Sequence, residues 1–321
     1  MKAVVLEKTC NADELEVSEV EIPKVKDGWV LVKVLGFGIN RAEVILRDYE
    51  ADEDYIELPV IPGIECVGEV VDSSNTRFEN GDRIAALMGG MGRSFDGGYA
   101  EYALLPEKIV FKIDDGIFDN LALEEIIAIP ETYFTAFGSL MSLNLIKEDT
   151  LLIRGATSAL GLSAMQLAKP IGCEIFATSR SEERFDKLKS NGADECFVDD
   201  GCLAERLKCD KILELVGPKT LEDSMKCLKN GGICCVTGVL GCIEYINDFD
   251  PIKIIPNDCY LTSFFSNYPT QEIMDNLFDF IVKNNIKPEI SKIFYNLEDI
   301  GKAHALMESN NAQGKIIFLL E

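Results

Sequence analysis

The sequence has little histidine and no closely spaced cysteine pair: His304 is the only histidine in 321 residues, and the eleven cysteines include no CxxC. Zinc sites need three or four nitrogen, sulfur or oxygen ligands that converge in one place. Because His304 and the scattered cysteines do not supply such a set, we expect no metal site. An odd, unpatterned set of cysteines is typical of reduced thiols, which predicts a cytoplasmic protein.

Positive charge is also scarce, since 31 Lys and Arg face 55 Asp and Glu, for a net charge of −24. Nucleic acids and anionic membranes are bound through basic surfaces, so we expect neither as a partner. No apolar run approaches the roughly 20 residues needed to cross a bilayer. Residues 1–5 are typical of a strand and not of a signal peptide.

The sequence does contain ample apolar residues, 47% of the total, and its length favours two domains. Short strands separated by turn residues predict a barrel-like β-domain in the first third. They are expected at 1–6, 15–21, 29–37, 65–72, 83–87, 99–105 and 109–113. Two helices, 121–127 and 133–143, lead into alternating strands and helices, which predict a parallel sheet.

The alternating part begins with strand 150–154, helix 159–169, strand 174–179, helix 182–191 and strand 195–198. It continues with a short helix at 203–207, strand 211–216, helix 219–229, strand 232–238 and strand 259–265. The tail is predicted to form helix 271–284, strand 292–295, helix 297–308 and strand 315–319.

The stretch 151–164, LLIRGATSALGLSA, predicts a strand, a tight turn and a helix, as at the start of a dinucleotide-binding βαβ unit. Small residues let a pyrophosphate approach the backbone and the free N–H groups of the helix start. The predicted cofactor-binding residues here are Gly155, Ala156, Thr157, Ser158, Ala159, Leu160 and Gly161. The alternative is an ordinary strand–helix turn in which Ser158 caps the helix.

The end of the second strand of this unit selects the coenzyme, because NAD enzymes place Asp or Glu there to bind the ribose 2′-hydroxyl. Here Ser179 and Arg180 occupy that region and Arg184 follows. Hydroxyl and guanidinium groups suit a 2′-phosphate, so we expect NADPH. The alternative is a serine helix cap with solvated arginines, whose positive charge Glu182 and Glu183 dilute.

Motifs along nearly the whole chain resemble the medium-chain dehydrogenase/reductase superfamily, and within it the zinc-independent quinone oxidoreductase branch. In order, the segments that carry the resemblance are 38–41 (GINR), 62–68 (PGIECVG), 81–84 (GDRI), 97–102 (GGYAEY), 154–161, 166–169 (QLAK), 192–194 (GAD) and 314–317 (GKII). No single motif is decisive, but their order and spacing make a chance agreement unlikely.

The resemblance implies an α/β protein with two domains. A GroES-like β-barrel catalytic domain would comprise 1–120 and 266–321, and a Rossmann NADP-binding domain with a doubly wound parallel sheet would comprise 121–265. Members are usually homodimers joined along the edge strands of their Rossmann sheets, a role that strand 259–265 would have here. The sequence leaves the choice between dimer and tetramer open.

The resemblance also bears on metal and coenzyme. Zinc-dependent relatives use a Cys, the His of a GHE motif and a further Cys or Asp, whereas this chain has Asn40 or its neighbours and Ile64 at the first two positions. We therefore expect zinc-independent chemistry. At the end of the third Rossmann strand, where relatives often use a Tyr against the adenosine phosphate, this chain has Asp199.

Asn40 is the predicted catalytic residue, because related reductases place this Asn near the nicotinamide and the substrate. Its alternative role is that of a turn residue before a helix. Many relatives carry a Tyr five positions later that is linked to proton delivery, but here Ile45 occupies that position and the proton donor is open. Thr135 matches a family position beside the nicotinamide, and helix packing is its alternative.

Three further residues have two interpretations each. Phe95 and Tyr99 would form an aromatic wall for a flat substrate or serve as packing residues. Cys66 would be a reactive thiol or, as we prefer, a buried structural one.

The resemblance implies an oxidoreductase that transfers a hydride from NADPH to a quinone or an α,β-unsaturated carbonyl. One alternative is an enoyl-thioester reductase on the same scaffold. Another is a low-turnover, crystallin-like protein that only binds NADPH. Fold does not fix the substrate, so the sequence leaves its identity open.

Overall fold

The computed structural model describes residues 1–243 and 245–320. The strands are β1 (Lys2–Val4), β2 (Val17–Glu19), β3 (Trp29–Ile39), β4 (Glu65–Ser73), β5 (Arg83–Leu87), β6 (Tyr102–Pro106), β7 (Val110–Lys112), β8 (Thr150–Arg154), β9 (Glu174–Ser179), β10 (Glu195–Val198), β11 (Cys209–Glu214), β12 (Leu228–Val236), β13 (Tyr260–Ser263), β14 (Ile290–Phe294) and β15 (Lys315–Leu319). The helices are α1 (Arg41–Asp48), α2 (Asp115–Asn120), α3 (Leu123–Ile127), α4 (Pro130–Ser142), α5 (Ala159–Ala168), α6 (Phe185–Ser190), α7 (Leu221–Cys227), α8 (Pro251–Ile254), α9 (Gln271–Lys283) and α10 (Ile300–Glu308). Within the described ranges, no helix has both the length and the apolar character needed to cross a membrane.

Two units divide the chain: the first comprises Met1–Glu131 and the residues from Asn267 onward, and the second comprises Thr132–Ser266. The first boundary between the units lies after Glu131, eleven residues later than the boundary expected between residues 120 and 121. The cause is α3, which packs against β3, β4 and β15 of the first unit. A Cβ placed on Gly36 of β3 would lie 2.3 Å from Cδ1 of Ile127, so this strand accepts the helix only because it has no side chain there.

The first unit contains a seven-stranded sheet in the order β14-β15-β3-β4-β5-β7, with β6 also paired to β3. The C-terminal strand β15 lies antiparallel to β3, so the end of the chain completes the N-terminal sheet. At its centre Phe37 stacks on Phe318, with ring centroids 4.8 Å apart, and on Tyr99, at 4.6 Å. All three rings are buried, which makes this stack part of the core.

The second unit contains a six-stranded parallel sheet in the order β10-β9-β8-β11-β12-β13. Its first strand in sequence, β8, lies beside β11, at the point where the strand order changes direction. In doubly wound sheets ligands bind at the carboxyl ends of the strands next to this switch point. The turn that follows β8 is therefore at the position where a nucleotide site is expected.

Most predicted elements are present, and β5, β8, β9, β10 and β15 have the predicted bounds. The predicted strand 99–105 starts only at Tyr102, because the preceding segment pairs with β1 instead: Val4 N donates to Tyr99 O and Glu101 N to Lys2 O. The short helix α2 was not predicted. Asp114 caps it by accepting a hydrogen bond from Gly116 N at 2.8 Å.

Candidate functional site

The turn after β8 is built from small residues. Gly155 has φ +84°, a left-handed conformation that glycine adopts without strain. Ser158 is the N-cap of α5, and its Oγ accepts a hydrogen bond from Gly161 N at 3.1 Å. A Cβ on Gly161 would lie 2.6 Å from Cα of Ala156, so only glycine lets the helix pack this closely on the turn. The first N–H groups of α5 have no acceptor within the helix and are suited to a phosphate.

A cavity of about 300 Å³ lies beside this turn. It is lined by Thr157, Ser179, Arg180, Ser181, Glu183 and Arg184. Its volume is at the lower end of the roughly 300–1,000 Å³ of ligand pockets. Two guanidinium groups against one carboxylate give the lining a net positive charge, in a chain that is strongly acidic overall.

The structure thus brings together four of the predicted cofactor residues from separate segments: Thr157, Ser179, Arg180 and Arg184. Ser181 and Glu183 join them, and both are neighbours in sequence of predicted residues. The other predicted residues of the turn do not line the cavity. Thr135 does not line it either: it is buried in α4, where its carbonyl accepts a hydrogen bond from Ser139 Oγ at 2.7 Å.

A buried arginine lies at the carboxyl end of β8 and was missed as a functional residue from the sequence. Arg154 is fully buried, and its Nε and Nη2 each donate to Asp199 at 2.7 Å. Its Nη1 donates to Asp223 at 2.8 Å and to Ser224 Oγ at 3.0 Å. Burial by itself lowers the pKa of Arg154, but the Asp199 carboxylate and its acidic neighbours outweigh burial and raise it. The guanidinium is therefore a permanent cation.

A buried carboxyl group faces this arginine from the next strand. Glu214 ends β11 in register with Arg154, and its Oε1 accepts hydrogen bonds from Val216 N at 2.8 Å and Gly217 N at 2.9 Å. Its other oxygen accepts a hydrogen bond from the Ser224 hydroxyl, which also accepts one from Arg154. Burial raises the pKa of Glu214 despite these donors. Glu214 thus fixes the start of the loop that follows β11, and Arg154 ties the end of β8 to Asp199 and to α7.

The predicted catalytic residue lies in the first unit, between β3 and α1. Asn40 has φ −123° and ψ 160°, so it is extended rather than left-handed. Its Nδ2 donates to Glu65 Oε1 at 2.9 Å, and its Oδ1 accepts from Lys315 Nζ at 2.5 Å. Lys315 and Glu65 form a buried ion pair at 2.6 Å. The carboxamide of Asn40 is therefore held in one orientation.

The side chain of Glu43 is a second buried carboxyl group next to Asn40. Glu43 is fully buried, and its carboxylate accepts hydrogen bonds from Asn40 N at 2.7 Å and Ile64 N at 2.9 Å. Burial raises its pKa to about 7, although the Ile64 N–H and the Lys315 ammonium favour the charged form. Two signals in the sequence point to this cluster: a Glu three residues after a helix cap, and a Glu and a Lys in apolar strands.

Tyr99 and Phe95 both make packing contacts within the first unit. Tyr99 is fully buried, and its hydroxyl lies 3.3 Å from Nε2 of His304, which is also buried. Burial and the charge of Arg47 lower the pKa of His304 to about 3, so it is neutral at pH 7. Phe95 packs edge-on against Trp29.

The surroundings of Cys66 and the distribution of ligand-type side chains bear on the thiol and metal predictions. Cys66 is fully buried, and burial raises the pKa of its thiol well above the usual range. A thiol of this kind is unreactive because the thiolate is the nucleophile. Within residues 1–243 and 245–320, no group of three or more His, Cys, Asp or Glu is arranged to hold a metal ion.

Comparison with known proteins agrees with this architecture. The family model described as "Alcohol dehydrogenase GroES-like domain" matches residues 26–115, and the one described as "Zinc-binding dehydrogenase" matches residues 159–283. Human quinone oxidoreductase is 30% identical over 316 residues, which cover 94% of this chain and 92% of that protein. Together, the GroES-like domain and the Rossmann-type sheet define a nicotinamide-dinucleotide-binding oxidoreductase fold. The chain belongs to the medium-chain dehydrogenase/reductase superfamily, in its quinone oxidoreductase-like branch.

Solved structures share the fold over the whole chain. An NAD-dependent alcohol dehydrogenase is 24% identical, with a TM-score of 0.85 and coverage of 100% of both chains. The yhdH oxidoreductase from Salmonella enterica, solved in complex with NADP, is 22% identical with the same TM-score and coverage. The first of these proteins is described with NAD and the second with NADP, although both share this fold. The fold by itself therefore does not select the coenzyme.

The raised pKa of Glu43 predicts a particular pH dependence of stability. In the unfolded chain this carboxyl titrates near its ordinary value of 4.5, and in the folded protein at about 7. The folded state therefore binds more protons between these values, and its stability falls as the pH rises from about 4.5 through about 7. A shift of this size corresponds to about 3 kcal/mol.

We expect Glu43→Gln to flatten this fall, measured as the urea midpoint between pH 4.5 and 8. Glu57→Gln, which changes an exposed carboxylate of the same unit, is the matched control and leaves the profile unchanged. A Glu43→Gln profile parallel to that of the unmodified protein would show that Glu43 does not titrate in this range.

Proposed function

We propose that this protein transfers a hydride from NADPH to a quinone or an α,β-unsaturated carbonyl. The observation that carries the proposal is the cavity beside the β8 turn, with Arg180 and Arg184 in its lining. A guanidinium group complements the geometry and charge of a phosphate, whereas the 2′-hydroxyl of NADH offers it no negative charge.

The residues of the second unit fit a bound dinucleotide. Gly155 and Gly161 let β8, the turn and α5 pack closely, and the start of α5 offers N–H groups to a pyrophosphate. Arg180, Arg184 and the Ser179 hydroxyl would hold the 2′-phosphate. When bound, NADPH supplies the hydride.

The proposed role of Asn40 follows from its fixed carboxamide. One Nδ2 hydrogen of Asn40 is donated to Glu65 Oε1. The other makes only a long hydrogen bond, with 3.5 Å between Nδ2 and Glu43 Oε1. This second hydrogen is available to the oxygen that gains negative charge when a quinone or enone is reduced. Such substrates spread the incoming charge over their own conjugated system, so the proposed chemistry uses no metal ion as Lewis acid.

The coenzyme assignment is tested with Arg180→Ala/Arg184→Ala. Each charge-assisted hydrogen bond contributes roughly 1.5–3 kcal/mol, less where solvent screens it, as at the exposed Arg180. We expect NADPH affinity to fall about 10–100-fold and NADH affinity to change less than threefold, measured by fluorescence titration.

The matched control, Arg77→Ala/Arg83→Ala, removes the same charge from the first unit and leaves both affinities unchanged. Equal affinities of the unmodified protein for NADPH and NADH would contradict the assignment.

The reaction is tested by following NADPH oxidation with quinones, enones, enoyl thioesters and simple alcohols. We expect turnover of small quinones or enones and negligible alcohol oxidation. Asn40→Ala is expected to lower kcat by roughly tenfold or more, the equivalent of about 1.4 kcal/mol. Asn120→Ala, which removes an exposed amide from the same unit, keeps kcat within twofold.

The other outcomes of this screen are informative. Preferential turnover of enoyl thioesters would replace the quinone assignment, and tight NADPH binding without any turnover would indicate a binding protein. A stoichiometric zinc ion in elemental analysis, with activity lost on chelation, would contradict metal-independent catalysis.

We also propose a homodimer joined along β13. This strand is at the edge of the parallel sheet, and Tyr260 and Phe265, at and just beyond its ends, are 61% and 74% exposed. An apolar edge strand is prone to pair with another chain, and pairing with a second copy would cover it.

Sedimentation should therefore give twice the chain mass of 35.5 kDa. Tyr260→Asp/Phe265→Asp is expected to shift the protein to the monomer mass. Tyr295→Asp, at an equally exposed tyrosine of the first unit, leaves the mass unchanged. A monomer from the unmodified protein at micromolar concentration would rule the interface out.

A further inference from the structure

A negative charge lies close to the cavity that is proposed to hold the 2′-phosphate. Asp199 directly follows β10, and its backbone N donates to the carbonyl of Ser179, a cavity residue, at 2.8 Å. A free carboxylate at this place would repel a phosphate, and it is the residue type that binds a ribose 2′-hydroxyl. An unpaired charge on Asp199 would therefore oppose the selection of a 2′-phosphate.

Arg154 pairs with that charge. The guanidinium makes a two-pronged contact with both oxygens of Asp199, at 2.7 Å each, and is itself fully buried. Asp223 and Ser224 hold the guanidinium from the other side. In this two-pronged contact the Asp199 side chain is only 11% exposed, and its charge is paired with that of the guanidinium.

We propose that Arg154 is a specificity-determining residue: by sequestering the carboxylate of Asp199, it makes the neighbouring cavity selective for a 2′-phosphorylated nucleotide. Arg154 acts through Asp199 and does not contact the nucleotide. The inference rests on the proposed NADPH dependence. It adds Arg154 at the end of β8 to the two arginines that line the cavity, both of which follow β9.

The test measures the affinities of 2′,5′-ADP and 5′-AMP by calorimetry, which reports the 2′-phosphate without any turnover. Arg154→Leu is expected to lower the selectivity for 2′,5′-ADP about tenfold, because Asp199 regains a free charge near the cavity. Arg154→Leu/Asp199→Asn is expected to restore the selectivity to within about twofold of the unmodified protein. Asp199→Asn alone changes it less than twofold, since that charge is already neutralised.

The matched control is Arg154→Leu/Asp223→Asn, which also removes one carboxylate partner of the lost arginine. The other hydrogen bonds of Asp223 go to Leu203 and Ala204, outside the cavity lining, so this variant stays at the low selectivity of Arg154→Leu. If the role of Arg154 is purely structural, the Asp199→Asn and Asp223→Asn double variants will have the same selectivity for 2′,5′-ADP. This result would overturn the inference.

Two further outcomes separate the inference from the proposed function. No preference of the unmodified protein for 2′,5′-ADP would overturn the NADPH assignment itself. A clear preference that Arg154→Leu leaves intact would overturn only the role of Arg154. If Arg154→Leu does not fold, Arg154→Lys replaces it: a point charge lacks the two-pronged contact, so a loss of about threefold, reversed by Asp199→Asn, is expected.

Discussion

A charge that is buried away from water must be paired, and both units place such pairs at the ends of strands. In the first unit the pair is Lys315 with Glu65, and in the second it is Arg154 with Asp199. Breaking one partner of such a pair costs more than the pair contributes, because the remaining charge is left unpaired. The strand ends, and the loops that follow them, are therefore tied to one arrangement.

In the first unit this constraint connects distant parts of the chain. Lys315 begins the C-terminal strand, Glu65 begins β4, and Asn40 links β3 to α1. The amide of Asn40 bridges the two charges, so its orientation depends on residues 25 and 275 positions away in sequence. A side chain that is held in this way has lost its conformational freedom before a substrate arrives, which is the condition for efficient hydrogen bonding to a developing charge.

The site could be predicted where its residues are neighbours in sequence. The Gly155 turn, its serine cap and the Ser179–Arg184 region each depend on local backbone rules, and the alternation of strands and helices predicted that parallel strands bring them together. Arg154, Glu214 and Glu43 were missed as functional residues. Nothing local distinguishes a buried charged residue from an exposed one, because its partners come from other strands and helices.

The fold class, the order of nearly all strands and helices, and the small residues at the turn could be predicted from the sequence, since all of these follow from hydrophobic period and backbone sterics. Which charges are paired with one another became visible only in the folded chain. Considered alone, the carboxylate of Asp199 is evidence against a phosphate site. Arg154, considered alone, is a charged residue at the end of a buried strand with no evident role. Their two-pronged contact joins β8 to the end of β10 across β9, and a pairing between non-adjacent strands has no period or spacing in the sequence.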